Sequence, residues 1–444
     1  MLNASLDIIV RDNDRLRKQI ADLEEKLSRY EHPKNSHNSH LPPSKDPLNK
    51  KRINLRKPSS RRTGGQKGHP GKTLEFGVPD KIENLYPHYC TRCGESLSSK
   101  AGELVETRQQ IDLPLIQSIT TEYCKFRKIC SCKQVCEGEF PTHVSPGIGY
   151  GPGVDSLVSY LSVCQYLPYE RLTDVMRDVF GIPLSEGTVD NILKRMETRS
   201  HPAYEVIREK LSRTEVIGAD ETTTSIKGKK CWSWVFQNPK YTYIIAGQSR
   251  KKDVFTKVMP GGMPETVLVS DCLSGYFSQN VKHHQICTSH ILRELIGLSE
   301  QYENQQWSSK MAELIREVIH LKKTIPNPAE HLSFIKKRFQ MLLEQLIDKS
   351  CKKVILLQKR LQKYKDYLFY FLENEKVPPD NNASERAIRC FKIKTKVSGY
   401  FNSKEGAQCF AQLHSITDTA RKNNQSPVKV LREAAMCRTN VILN

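Results

Sequence analysis

Apolar side chains recur at a seven-residue spacing from the start of the chain. Leu6, Ile20 and Leu27 fall on one heptad position, with Asn13 among them, and Ile9, Leu16, Leu23 and Tyr30 fall on the other. So narrow a seam predicts a short coiled coil over residues 1–31. A single Asn at an a position weakens the seam but fixes its register and favours two strands, so a homodimer is expected. An amphipathic helix packed on its own protein would show the same spacing. From 32 to 78 the apolar rhythm lapses, and Pro, Ser, Asn and Gly surround Lys50, Lys51, Arg52, Arg56, Lys57, Arg61 and Arg62. This stretch reads as a flexible basic arm, with few acids to offset its charge. Its Gly64–Gly71 segment lacks the flanking strand and helix of a phosphate-cradling loop.

Regular patterns return further along. Ile111 to Phe126 is strand-like, and residues 146–205 are helical in period, with a Gly181-Ile182-Pro183 break and Ser185 as an N-cap. Two helices around such a turn are either a helix-turn-helix, with the later helix in a major groove, or a helical scaffold. Strand signals then run from Val216 to Thr222, Lys230 to Phe236 and Tyr241 to Ala246. A short helix near 252–258 and the apolar run Thr266–Ser270, ending at Asp271, complete a segment assigned to 206–290. Helical spacing dominates 291–374, which reads as an insertion before a second core segment, 375–425, and a tail, 426–444. The expected class is α+β and multidomain, as a chain of 444 residues and 50.9 kDa already suggests.

Charge and cysteine content narrow the function. A formal net charge of +20 fits a polyanionic partner, with nucleic acid the first choice. The sequence has neither a run of about 18 apolar residues nor a signal-peptide pattern, so a cytoplasmic protein without a membrane span is expected. In that compartment its 14 cysteines stay mostly reduced, and clustered ones read as metal ligands. Cys90 and Cys93, followed by Gly94, form a knuckle in which two thiolates converge on one Zn²⁺. The second pair comes from Cys124, Cys130, Cys132 and Cys136. Cys130 and Cys132 are favoured, with Cys136 as a substitute, giving a structural zinc ribbon over 79–145.

Three acids carry the candidate chemistry: Asp220 after a strand-forming run, Asp271 at the end of another, and Glu385 in Pro-Pro-Asp-Asn-Asn-Ala-Ser-Glu-Arg. Hard divalent cations take carboxylate oxygens, and two such ions clamp the attacking and leaving oxygens of a phosphoryl displacement. Two strand acids and a later helical Glu match the ligand plan of an RNase H-like α/β catalytic core. Neighbours on a strand point to opposite faces, so only one of Asp220 and Glu221 is expected to face the site. Glu385 has a plainer alternative as the far end of a capping box begun by Asn382. Arg386 and Arg389 share a helix face near it, either on phosphates or as a solvated surface.

The phrases Gly-Ala-Asp-Glu-Thr at 218–222, Ser-Asp-Cys-Leu-Ser-Gly-Tyr at 270–276, Cys-Thr-Ser-His at 287–290 and Pro-Asp-Asn-Asn-Ala-Ser-Glu-Arg-Ala-Ile-Arg at 379–389 resemble the large transposase of the insertion sequence sixty-six family. The resemblance extends to the leucine-rich start, Pro42-Pro43-Ser44, Gly64 to His69 and the cysteine clusters. It implies a DDE transposase of a bacterial insertion sequence, nucleoid-associated, in which Asp220, Asp271 and Glu385 bind two Mg²⁺ ions. Its partners would be double-stranded DNA, as element terminal inverted repeats and target, and accessory proteins encoded by the same element. Cys287 and His290 match a Cys-x-x-His element of the family, as a second metal site or as hydrogen-bonded support for the Asp271 strand. The chain departs from the family at Cys130-x-Cys132 and at Thr288-Ser289. A non-cleaving DNA-binding regulator and a coiled-coil assembly protein are the alternatives. If the basic arm contacts phosphates, deleting residues 45–72 lowers the slope of log affinity against log salt by about 0.9 per lost contact, measurable by titrating DNA binding between low and high salt.

Overall fold

The computed structural model describes residues 75–112, 118–144, 146–250 and 253–438, with scattered positions between 12 and 39. The basic residues Lys50 to Arg62 lie outside the described residues. The chain divides into two compact units, one of residues 52–119 and one of residues 1–51 with 120–444. The zinc ribbon expected over 79–145 therefore has its two cysteine clusters in different units.

In the smaller unit, the described backbone makes a tight loop at Cys90–Gly94, closed by a Tyr89–Ser96 bridge. In the larger unit, the described positions of 12–31 are helical, and Leu16, Ile20, Leu23, Leu27 and Tyr30 are exposed. Asn38 packs against Gly297 and donates from Nδ2 to Glu300 (2.7 Å), so the segment after that helix rests on the body of the unit.

A small hairpin, β1 (Arg127–Ile129) with β2 (Val135–Glu137), precedes the main core. The strand-like stretch from Ile111 to Phe126 is not a strand among its described residues. Ile111, Ile119 and Phe126 stay exposed, and β-branched and aromatic residues favour a strand only where a pleated surface covers them.

Three helices follow: α1 (Pro152–Val163), α2 (Tyr169–Phe180) and α3 (Glu186–Ser212). Gly181 ends α2 at φ +64, a left-handed conformation suited to glycine, and the Ser185 side chain accepts from the Thr188 N–H to start α3. Asp155 on α1 is fully buried and accepts from Arg195 and Arg199 of α3. Burial raises its carboxyl pKa despite the two arginines.

The main sheet has the order β5-β4-β3-β6-β7. β3 (Val216–Ile226), β4 (Lys229–Gln237) and β5 (Thr242–Gln248) form an antiparallel meander. After the short helix α4 (Asp253–Val258), β6 (Met263–Ser270) runs parallel to β3, and β7 (Val281–Ile286) runs parallel to β6. Alternation on β6 sends Leu268 into a core shared with α1–α3, and Val267 and Val269 into a second core on the other face.

That second core is built from α5 (Thr288–Gln301), α6 (Trp307–Thr324), α7 (Leu332–Leu343) and α8 (Lys352–Lys363), which bury residues such as Ile291, Leu295, Met311 and Leu357 against the sheet. The Lys322 ammonium on α6 donates to the carbonyls of Phe371, Asn374, Glu375 and Val377, and so shapes the turn before the last elements. Then come α9 (Asn382–Ser398), α10 (Lys404–Lys422) and α11 (Pro427–Ala435).

α10 lies along the outer strand β5. The N–H groups of Thr242, Ile244 and Ala246 donate to the side chains of Thr419 (3.1 Å), Ser415 (2.9 Å) and Gln408 (3.0 Å). On the opposite edge, the Gln285 amide of β7 donates to Leu368 O and accepts from the Phe371 N–H. Among the described residues, no helix is long and apolar enough to cross a membrane.

Because Asp155 is the buried partner of two arginines on α3, Asp155→Ala removes the acid that Arg195 and Arg199 share, leaving Arg199 its bond to Ala435 O. The expected loss is roughly 3 kcal/mol, read as a lowered unfolding midpoint, with Arg195→Lys milder.

Candidate functional site

The site grows from the parallel pair β3–β6. Gly218 is level with Val269. Continued by two residues, that register sets Asp220 beside Asp271, just past the end of β6. Asp271 accepts from the Leu273 N–H (3.0 Å), which turns the chain sharply after the strand. Glu385 comes from the first turn of α9, which crosses β3. The charges of Asp271 and Glu385 both reach Asp220, but among the described residues the three acids do not bring ligand atoms within 4.8 Å of one another. The Asp220 carboxyl is pushed well above the usual carboxylate range, first by burial and then by the charges of Glu221, Asp271 and Glu385.

Glu221 differs from Asp220 in what it touches. It accepts from Tyr276 Oη (2.7 Å) and from the Arg250 guanidinium (3.0 Å), which itself stacks over the Trp232 ring. Burial and Asp271 raise its pKa, against the pull of Tyr276 and Arg250. Glu221 therefore has protein partners for its charge.

Glu385 is not the end of a capping box. The residue at the N-cap of α9 is Asn381, one position earlier than the Asn382 expected, and the Glu385 carboxylate turns to α5 instead. Arg293 donates to its Oε1 (3.1 Å), and His290 Nε2 lies 3.5 Å from the same oxygen. Arg386 and Arg389 are exposed on α9.

Cys287 and His290 flank the start of α5, beside β6, where the Cys287 N–H donates to Ser270 O. One ligand atom each from Cys287, His290 and Glu385 lie within 4.8 Å of one another, close enough to hold one ion. Each already has a protein partner, however. The Cys287 thiol, pushed up to about 12 by burial, accepts from the Asn381 N–H (3.2 Å), while His290 and Glu385 face each other.

A family model of the transposase IS66 family matches residues 147–409, which is more than half of the chain. The chain belongs to the transposase IS66 family. A second model, of a family of unknown function, matches residues 2–75. The chain is also similar to the uncharacterized protein y4hP of Sinorhizobium fredii (strain NBRC 101917 / NGR234). The two are 22% identical, over 79% of this chain and 71% of that protein.

The donor set in this IS66-family chain suits a hard cation. Asp220, Asp271 and Glu385 supply only oxygens, the ligand type a hard divalent ion takes. The cysteine pairs Cys90/Cys93 and Cys130/Cys132 each lie within their own unit. The Cys90 thiol is held below its usual pKa by the backbone N–H groups of Cys93 and Arg92 and by the Cys93 thiol. Cys130 is lowered in the same way by Cys132, in the turn between β1 and β2 where Lys133 takes a positive φ. Cys124 and Cys136 are exposed nearby in sequence.

Sequence reasoning had not singled out Tyr276, Arg250, Arg293, Asn381, Ser384 or Gln237. Arg293 had a signal available, since it stands one helical turn after His290 on the same face of α5.

Proposed function

We propose that this chain is the DNA transposase of a bacterial insertion sequence, and that β3, β6 and α9 form an RNase H-like core whose acids Asp220, Asp271 and Glu385 hold two Mg²⁺ ions for DNA strand cleavage and strand transfer. What supports this reading is the strand register that sets Asp220 beside Asp271, with α9 and its Glu385 packed across β3, in a chain of the IS66 family. Two ions bound there would activate a water and then a DNA 3′-hydroxyl while offsetting charge on the reacting phosphate.

The chain's own side chains have distinct tasks in this scheme. Arg293 and His290 hold Glu385 by Oε1, so Oε2 is the oxygen given to the cation. Tyr276 and Arg250 hold Glu221 out of the ligand set. Arg386 and Arg389, exposed beside Glu385, meet DNA phosphates, and the basic arm adds sequence-independent contacts. Element terminal inverted repeats and target DNA are the proposed substrates, in the bacterial cytoplasm at the nucleoid, with accessory proteins of the same element as partners.

The exposed face of Leu16, Ile20, Leu23 and Leu27 is read as a homodimeric coiled coil that pairs two element ends. We read α3 as scaffold: its buried face runs from Val189 to Leu211, and Tyr204 Oη donates to Ile244 O of the sheet. Both cysteine pairs are read as ligands of structural zinc.

Asp220→Asn, Asp271→Asn and Glu385→Gln should each lower strand cleavage about a hundredfold or more, several kcal/mol of charge stabilisation, while DNA binding stays within a few-fold. Glu221→Gln should cost much less. Cleavage of end-containing DNA in Mg²⁺ checks this, and near wild-type cutting by any of the three would remove that residue from the ligand set. A non-cleaving regulator would show binding alone. Protein purified without chelator should carry tightly bound zinc, and Cys90→Ser with Cys93→Ser, or Cys130→Ser with Cys132→Ser, should lower its metal content by elemental analysis.

A further inference from the structure

Asn381 stands at the N-cap of α9 yet makes no side-chain cap to its own helix. Only 2% exposed, it turns its amide across to β3 instead. Nδ2 donates to Ala219 O (2.7 Å), the carbonyl immediately before Asp220, and Oδ1 accepts from Ser384 Oγ (2.6 Å), the residue immediately before Glu385. Ser384 Oγ in turn accepts from Gln237 Nε2 of β4 (3.1 Å), and Lys422 fixes that amide from the other side by donating to Gln237 Oε1 (3.0 Å). The Asn381 N–H donates to Cys287 Sγ, and Thr288 donates from Oγ1 to Pro379 O (2.8 Å), which pins the same turn to α5.

Gly218 completes the arrangement. A Cβ there would lie 2.7 Å from Gln237 Nε2 and 2.8 Å from Asn381 Oδ1, so only glycine lets α9 come this close to β3.

We propose that Asn381 is a positioning residue that sets the separation of Asp220 and Glu385, by tying the backbone next to one acid to the side chain next to the other. This rests on the reading of the two as cation ligands. The geometry explains why an N-cap Asn is diverted from its helix. Acids gathered in a buried site repel one another, and α9 would relax away from β3 unless held. One primary amide answers both needs, its donor to β3 and its acceptor to Ser384. Asp at this position would keep the shape but lose the donor and set a carboxylate against the Ala219 carbonyl.

The test uses full-length protein and Mn²⁺ as the probe, with binding followed by electron paramagnetic resonance and cleavage followed against Mn²⁺ concentration. Wild type should bind Mn²⁺ in a way that Glu385→Gln weakens. Asn381→Ala should weaken binding about tenfold, the loss expected for a buried hydrogen bond, with cleavage recovering at high Mn²⁺ and DNA affinity unchanged within about twofold. Asn381→Asp should be worse than Asn381→Ala. Should Asn381→Ala fail to fold, Ser384→Ala carries the same test with a smaller shift.

Unchanged Mn²⁺ affinity in Asn381→Ala, or an Asn381→Asp protein equal to wild type, would overturn the proposal while leaving the ligand assignment intact. A loss of cleavage that no Mn²⁺ concentration restores, with a lowered melting temperature and unaltered Mn²⁺ affinity, would reduce Asn381 to packing. Mn²⁺ binding indifferent to Glu385→Gln would remove the ligand assignment itself, and the proposal with it.

Discussion

The packing of α9 against β3, which carries Glu385 to the strand that bears Asp220, is the constraint on which the candidate site depends. The charges of Glu221, Asp271 and Glu385 add to burial in raising the proton affinity of Asp220. Charge of one sign in a poorly solvated place is costly, and the chain meets that cost in three ways. Glu221 is neutralised by Arg250 and held by Tyr276. Glu385 leans on Arg293. Asp220 has no such cationic neighbour among the causes of its shift, and the proposed cations would answer its charge. The polar contacts around Gly218 and the Lys322 cap on the approaching turn then keep the acid-bearing elements from separating.

Much of this was legible from period and motif. The meander after Val216, the apolar run closing at Asp271 and the long helical stretch before Glu385 stand in the structure where their spacing places them, with β6 ending at Ser270. Local signals sufficed because the centre of the main sheet is buried, with β6 packed between two cores, and its apolar run is correspondingly dense. Ser185 was readable as an N-cap because its neighbours supply no competing cap.

What stayed hidden depends on contacts between distant residues. Asn381 and Asn382 are equally good caps in sequence, and only the closeness of β3 selects Asn381 and diverts its amide. Arg250 and Tyr276 look like ordinary surface and core residues until the sheet folds them onto Glu221. The reverse error occurs at Ile111–Phe126, where strand-forming residues lack a covering surface and stay irregular among the described positions. Propensity there describes a capacity that the surroundings do not use.

The side chains of α10 that receive the N–H groups of Thr242, Ile244 and Ala246 have a consequence for how the molecule meets others. A free outer strand is a template on which a foreign strand can add itself, by backbone bonding that is indifferent to side-chain identity. Here the β5 border of the sheet is occupied by Gln408, Ser415 and Thr419 of α10. Strand addition along β5 is thus a closed route to association. Any association at that border is left to side-chain surfaces, whose fit can be selective.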